Sequence, residues 1–308
     1  MANIRREEFR LENGLGVSLC VYAWIPDAPK AVLQIAHGMA EHAQRYDAFA
    51  QAMAAQGFAV YASDHAGHGQ SALPEHYGFF YPEDGWQRVV EDLHLVHRAT
   101  ADRHPGCPHM LLGHSMGSLL ARSYMASYGD TLRGVILSGT AGPNPLLPFG
   151  KLLAGLCMRL RPPHTPCKII DKLVFSANNK SFAPARTPSD WLSRDTAAVD
   201  AYIADPACGF VFTATGYRDL FDGLSSIQGE SWAAKVPRSL PVLLFSGESD
   251  PVGAMGKGVR CVEKALRAGG VEDVTCILYP QGRHEMLNEI NREAVYADIL
   301  AWTARVLG

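Results

Sequence analysis

Residues 109–125 read HMLLGHSMGSLLARSYM. An apolar run long enough for one buried strand passes into a helical pattern through a single pentapeptide, Gly113-His114-Ser115-Met116-Gly117. Strand-to-helix passages of this kind belong to crossover connections, and crossovers build parallel sheets. The rest of the chain repeats the alternation. Ser18 to Trp24, Ala31 to Ala36, Phe58 to Ala62, His109 to Gly113, Gly134 to Ser138, Pro241 to Ser246 and Val274 to Tyr279 read as strands. Several are unbroken Val/Leu/Ile runs with no polar face, the pattern of strands covered on both sides. Trp86 to Ala101, Ser115 to Tyr128, Lys257 to Ala268 and Glu289 to Val306 carry helical spacing. Asn13-Gly14 lies between two β-like runs and predicts an antiparallel hairpin at a sheet edge. The fold class is α/β, with a mostly parallel central sheet flanked by helices.

One interval breaks the rhythm. Ser138 and Pro241 are about 100 residues apart, where a βαβ crossover needs only a few tens. The stretch begins PNPLLPFGKLLAGLCMRLRPP, in which Leu152, Leu153, Leu156 and Leu160 share one helical face. Structureless loops of this size are uncommon in compact domains. Residues 142–215 are therefore expected to form an inserted, mainly helical cap, with 1–141 and 216–308 as the core.

The pentapeptide is G-x-S-x-G at the end of a strand and the start of a helix. Its glycines permit a tight turn that lifts the serine hydroxyl above the sheet, close to a helix N-terminus that favours negative charge. A serine hydroxyl is a weak nucleophile and needs a base. Where serine occupies such a turn, the acid and then the histidine follow it in chain order. His284, in QGRHEMLNE, sits between the last strand and the last helix, on a loop where α/β ligand sites form. The acid is Asp250 in LLFSGESDPVG, at an Asp-Pro turn after a strongly apolar strand, with Glu248 as its nearest rival. Two backbone donors should complete the site: Met116 N–H after the serine, and Met39 N–H in the loop after Ala31 to Ala36.

Five segments together resemble the monoacylglycerol lipase and lysophospholipase family of α/β-hydrolases, with its serine-aminopeptidase-like hydrolase domain. They are HGMAEHAQRY at 37–46, DHAGHGQS at 64–71, GHSMGS at 113–118, ESDPVG at 248–253 and RHEMLNE at 283–289. The resemblance spans nearly the whole chain outside the interval 142–215. It implies the α/β-hydrolase fold, Ser115, Asp250 and His284 as a catalytic triad, and Met39 and Met116 as oxyanion-hole donors. It also implies a cap over an acyl-chain channel and an ester or lipid substrate. Met39 departs from the small residue usual at that position in eukaryotic monoacylglycerol lipases. SFAPARTPSDWLSRD is more similar to the cap segment of bacterial members.

Other classes have little support. Net charge is −3 and no basic block occurs, so a nucleic-acid partner lacks an electrostatic basis. The N-terminus shows no secretory pattern, no window approaches about 18 apolar residues, and the odd count of 7 cysteines forms no CxxC pair. A reduced, cytoplasmic protein is expected, needing no organic cofactor or metal. Asp64, His65 and His68 read as a post-strand loop rather than a metal cluster. His94 and His97 read as surface residues. Phe149, Leu152, Leu153, Leu156 and Phe175 are expected either to line an acyl pocket or to pack on the core, and the cap is a candidate for transient membrane or micelle contact. Two alternatives share the motifs: an amidase, peptidase or acyltransferase with the same triad, and a binding protein that keeps the fold. An aminopeptidase would need a carboxylate for the substrate amine, with Asp171, Asp190, Asp195, Asp200 and Asp205 on offer.

Overall fold

The computed structural model describes residues 3–308. In chain order, β1 (Ile4–Glu12), β2 (Ser18–Pro26) and β3 (Ala31–Ala36) precede α1 (Asp47–Ala55) and β4 (Phe58–Ser63). Then come α2 (Gly85–Arg103), β5 (His109–His114), α3 (Met116–Tyr128) and β6 (Gly134–Ser138). Four helices follow without a strand: α4 (Leu147–Leu160), α5 (Lys168–Phe175), α6 (Thr196–Ala204) and α7 (Ala214–Ser226). β7 (Val242–Gly247), α8 (Lys257–Ala268), β8 (Val274–Tyr279) and α9 (Arg292–Leu307) complete the chain. The strands form one sheet in the order β1-β2-β4-β3-β5-β6-β7-β8. β1 and β2 pair antiparallel, as do β2 and β4, while the pairs from β4 through β8 are parallel.

The apolar runs serve two cores at once. Side chains alternate across a strand, so Leu111, Val135, Leu137, Val242 and Leu244 face α2, α3 and α8. Met110, Leu112, Ile136, Leu243 and Phe245 face α1 and α9 on the other side. Each of these is worth about 1.5–3 kcal/mol when fully buried, which explains why these strands tolerate no polar face. β1 shows the opposite pattern: Arg5, Arg6 and Glu8 are exposed along it. Charge on an edge strand discourages pairing with another chain. The hairpin expected at Asn13-Gly14 is present, and Asn13 Oδ1 accepts from Leu15 N and Val17 N at 2.9 and 3.2 Å.

Two local expectations are corrected. His97 is a buried residue rather than a surface one, packed against the His109 ring and stacked on His94. The apolar face of α4 points outward: Phe149, Leu152, Leu156 and Leu160 are 58, 73, 54 and 73% exposed. These four do not pack on the core, whereas Leu153, on the same helix, is partly buried and does, and Phe175 is partly buried near Trp191. The buried side of α4 is its small one, where Gly150 and Ala154 meet α7, and a Cβ at Gly150 would crowd the Phe221 ring.

Candidate active site

β5 delivers Ser115 at φ 52° and ψ −119°. A residue with a Cβ holds such a backbone only under strain of about 1–3 kcal/mol. Close packing enforces it. A Cβ at Gly113 would strike the Gly117 carbonyl oxygen, and one at Gly117 would strike that of Ala36. The two glycines thus let β5, α3 and the end of β3 converge. Ser115 N donates to Ser138 O at 2.9 Å, and Ser115 O accepts from Ser118 N and Oγ at 2.9 and 2.6 Å.

Asp250 and His284 come from the loops that follow β7 and β8, and both are buried. His284 Nδ1 lies 3.0 Å from each Asp250 carboxylate oxygen. Asp250 also accepts from Ser246 Oγ and Val252 N at 2.9 Å. With Nδ1 as the donor, Nε2 becomes the acceptor nitrogen of the neutral ring. Burial would raise the Asp250 pKa, yet the His284 charge and the hydrogen bonds outweigh it and hold the carboxyl below its ordinary value. Burial would likewise lower that of His284, but Asp250, then Glu285 and Glu41, hold it above 6.5. Glu248, the rival acid, is exposed. Ser115 Oγ makes no hydrogen bond to the His284 ring; such contacts commonly tighten only when substrate binds. His114 links the two positions, its ring centroid 4.8 Å from that of His284.

The loop after β3 approaches the serine from the other side. A Cβ at Gly38 would lie 3.2 Å from Ser115 Cβ, and Gly38 N donates to Glu41 Oε1 at 2.5 Å. Among the described residues, Met39 N and Met116 N donate to no backbone acceptor. Three buried histidines brace this loop. His37 Nδ1 donates to Gly38 O at 2.8 Å while its Nε2 accepts from His65 N at 3.0 Å. His65 Nε2 donates to His37 O, and His68 Nδ1 donates to Ala66 O. The acceptor role of His37 needs a neutral ring, and burial supplies it, holding His37 well below 6.5; burial likewise pushes His65 down to about 4 and His68 to about 3.

The spacing of Glu41 and Arg45 predicts an i,i+4 pair that steadies this loop, and the pair forms; sequence reasoning missed two residues around it, Glu285 and Trp191. Arg45 reaches Glu285 with both terminal guanidinium nitrogens, each 2.7 Å from a carboxylate oxygen, and also pairs with Glu41. Glu41 supports the serine-side loop and Glu285 follows His284, so one buried cation ties both loops together. The i,i+4 spacing of Glu41 and Arg45 is visible in the sequence, but Glu285 lies 240 residues away. The second is Trp191, from the stretch between β6 and β7, whose ring centroid is 5.0 Å from that of His284. Its neighbours pin it: Glu285 N donates to Leu192 O at 2.7 Å, and Arg283 donates to the Asp190 and Ser193 carbonyl oxygens.

A mostly parallel sheet with a strained serine after its central strand, and a buried acid–histidine pair on two later loops, defines the α/β-hydrolase class. Within that class the chain belongs to the Hydrolase_4 family, described as serine aminopeptidase, S33, whose model matches residues 27–291. It is 30% identical to a monoacylglycerol lipase of Mycolicibacterium smegmatis over 98% of both chains. It is 28% identical to the monoglyceride lipase of Homo sapiens, covering 96% of this chain and 89% of that one. A thermostable carboxyl esterase from Bacillus coagulans superposes with a TM-score of 0.91 at 29% identity over 100% of both chains. The chain is a serine ester hydrolase.

Proposed function

We propose that this enzyme cleaves monoacylglycerol- or lysophospholipid-like esters through Ser115, His284 and Asp250. The buried Asp250–His284 pair beside the strained Ser115 turn carries the reading. His284 Nε2 takes the proton as Ser115 Oγ attacks the ester carbonyl carbon. The carbonyl oxygen becomes an oxyanion facing Met39 N–H and Met116 N–H, each such donor being worth about 2.7–4 kcal/mol in the transition state. Collapse expels the alcohol oxygen, which receives the proton from His284. Water then repeats the sequence on the acyl-enzyme and frees the acid. Asp250 holds the ring's tautomer and stabilises its transient positive charge.

Residues 142–215 act in this scheme as a cap. Its outward ridge of Leu152, Leu156 and Leu160, joined on α5 by the exposed Ile169 and Leu173, suits a lipid surface from which a single-chain ester could be drawn. Among the described residues no helix is long and apolar enough to cross a membrane, so contact would be peripheral.

The aminopeptidase alternative needs a free carboxylate, and the five aspartates of this stretch are engaged. Asp171 accepts from Tyr217, Asp190 from Arg186 N and Thr187, and Asp200 from Arg186. Asp195 caps α6 and pairs with Arg292, and Asp205 meets His42. Ester cleavage is therefore favoured over capture of an amine. Replacing Ser115 by Ala should abolish fluorophosphonate labelling and p-nitrophenyl ester turnover; retained labelling would end the assignment. A marked preference for p-nitrophenyl acetate over decanoate would end the lipid reading while sparing the triad.

A further inference from the structure

Just behind the serine-side loop, His42, Asp205 and Cys208 converge from two parts of the chain. His42 follows Glu41 at the end of that loop. Asp205 and Cys208 follow α6, in the turn Asp205-Pro206-Ala207-Cys208. His42 Nε2 lies 2.8 Å from Asp205 Oδ2, and these two atoms and Cys208 Sγ all lie within 4.8 Å of one another. The turn holds its two residues in place: Ala207 N donates to Asp205 Oδ1 at 2.8 Å and Cys208 N to Asp205 O at 3.0 Å. Oδ1 is thereby occupied, and Oδ2 is the oxygen that faces the imidazole.

We propose that His42, Asp205 and Cys208 bind a zinc-class divalent cation that clamps the 205–208 turn onto the loop beside Ser115. The donor set selects the metal. A thiolate and an imidazole with one carboxylate suit Zn²⁺ or Co²⁺, whereas Mg²⁺ and Ca²⁺ take oxygen ligands. Metal–ligand bonds of about 2.0–2.3 Å in a tetrahedron put ligand atoms roughly 3.3–3.7 Å apart. The longest separation need close by only about 1 Å, within reach of side-chain rotation. Three protein ligands leave a fourth position for water. As the Sγ–metal bond forms, the thiol releases its proton to solvent and the metal displaces the His42–Asp205 hydrogen bond.

The surroundings fit this role. His42 and Asp205 side chains are 13 and 33% exposed, which gives a cation an entry path. The clamp would fall where the two segments already touch, since Ala40 O accepts from Gly209 N at 2.9 Å and from Tyr202 Oη at 3.3 Å. A bound cation there would reinforce the tie between the 205–208 turn and the loop beside Ser115 without joining the chemistry.

The test is a Co²⁺ titration of the reduced, chelator-stripped enzyme. One equivalent should raise a near-ultraviolet thiolate-to-cobalt charge-transfer band, which Zn²⁺ should abolish by replacing the cobalt. Cys208→Ser should lose the band, and His42→Gln should bind Zn²⁺ more weakly by at least the roughly 10–100-fold that losing even an outer-shell partner costs, in competition with a chromophoric chelator. Cys261→Ser, at the exposed cysteine on α8, should change nothing. No band in the wild-type enzyme, or a band that persists in Cys208→Ser, overturns the site. Fluorophosphonate labelling of each variant reports folding separately from metal binding. Loss of the metal site with labelling intact leaves the esterase reading standing. If Cys208→Ser loses labelling, the His42→Gln competition decides: unchanged affinity overturns the site.

Discussion

The carboxyl edge of the sheet and the stretch between β6 and β7 solve opposite problems. At the sheet edge, charged groups are buried and each is paired. Asp250 has three partners, and Arg45 is shared by two acids. On α4 four large apolar groups, Phe149, Leu152, Leu156 and Leu160, are exposed, while Gly150 and Ala154 are buried. A buried charge without its partner is costly, so the sheet edge permits almost one arrangement. An exposed leucine costs little in place, so α4 can keep a ridge that the fold does not require. The proposed chemistry is thus held by structure that cannot drift, and the proposed substrate delivery by structure that can.

The sharpest way to break this contrast is at Asp250. Asp250→Asn keeps the shape but offers the wrong group to Nδ1–H, and should lower kcat by on the order of 10⁴-fold. Glu248→Gln, two residues away and exposed, should leave kcat within a factor of about two. Equal losses at both positions would refute the assignment of the acid. Next in size is Arg45→Met, which strands Glu285 and Glu41 in the interior. Removing one member of a buried ion pair costs about 3–5 kcal/mol. Chemical denaturation should show a loss of that order, together with reduced kcat, because both loops beside Ser115 lose their tie. A stability change under about 1 kcal/mol would mean that the network does not hold the loops.

What could be read beforehand follows the same division. Buried strands, the serine turn and the positions of Asp250 and His284 are local patterns: an apolar run, a spacing of glycines, a loop after a strand. They were legible because each is dictated by neighbours in the chain. The Arg45–Glu285 pair and the packing of Trp191 on His284 depend on distant segments that no periodicity connects. His97 shows the same limit, since spacing on α2 shows which residues share a face but not that His109 covers it. For α4 the spacing puts Leu152, Leu153, Leu156 and Leu160 on one apolar face, yet Leu153 packs on the core while the other three face out, because the pattern does not say which side is buried. Gly150 and Ala154 decide that, because only small residues allow α7 to approach.

The outward ridge should yield a smaller, conditional effect. Leu152→Ser with Leu156→Ser removes two side chains that are 73 and 54% exposed. Turnover of a soluble p-nitrophenyl ester should stay within a factor of about two, since surface changes of this kind rarely move stability by more than about 0.5 kcal/mol. Turnover of monoacylglycerol in vesicles should fall several-fold, with less protein recovered in vesicle flotation. An equal drop with both substrates would place the ridge in the catalytic fold instead of in delivery.

The mildest effect is on pH dependence, and it measures how strongly the sheet edge controls its own histidine. In the proposed scheme His284 serves as a base only when neutral. Burial draws its pKa down, but the Asp250 charge and hydrogen bond, followed by Glu285 and Glu41, hold it above 6.5. As pH falls through that raised value the ring gains a proton and the base is lost. The acid limb of kcat/KM should therefore have its midpoint above 6.5, the ordinary value. His65 and His68 stay neutral throughout this range, because burial lowers them to about 4 and about 3. The limb should thus follow a single proton. In the residual activity of Asp250→Asn the largest upward influence is gone while burial remains, so the midpoint should move down. A midpoint that stays put in Asp250→Asn would show that the acid does not set the base's protonation, and the pairing seen between the loops after β7 and β8 would then be structural rather than catalytic.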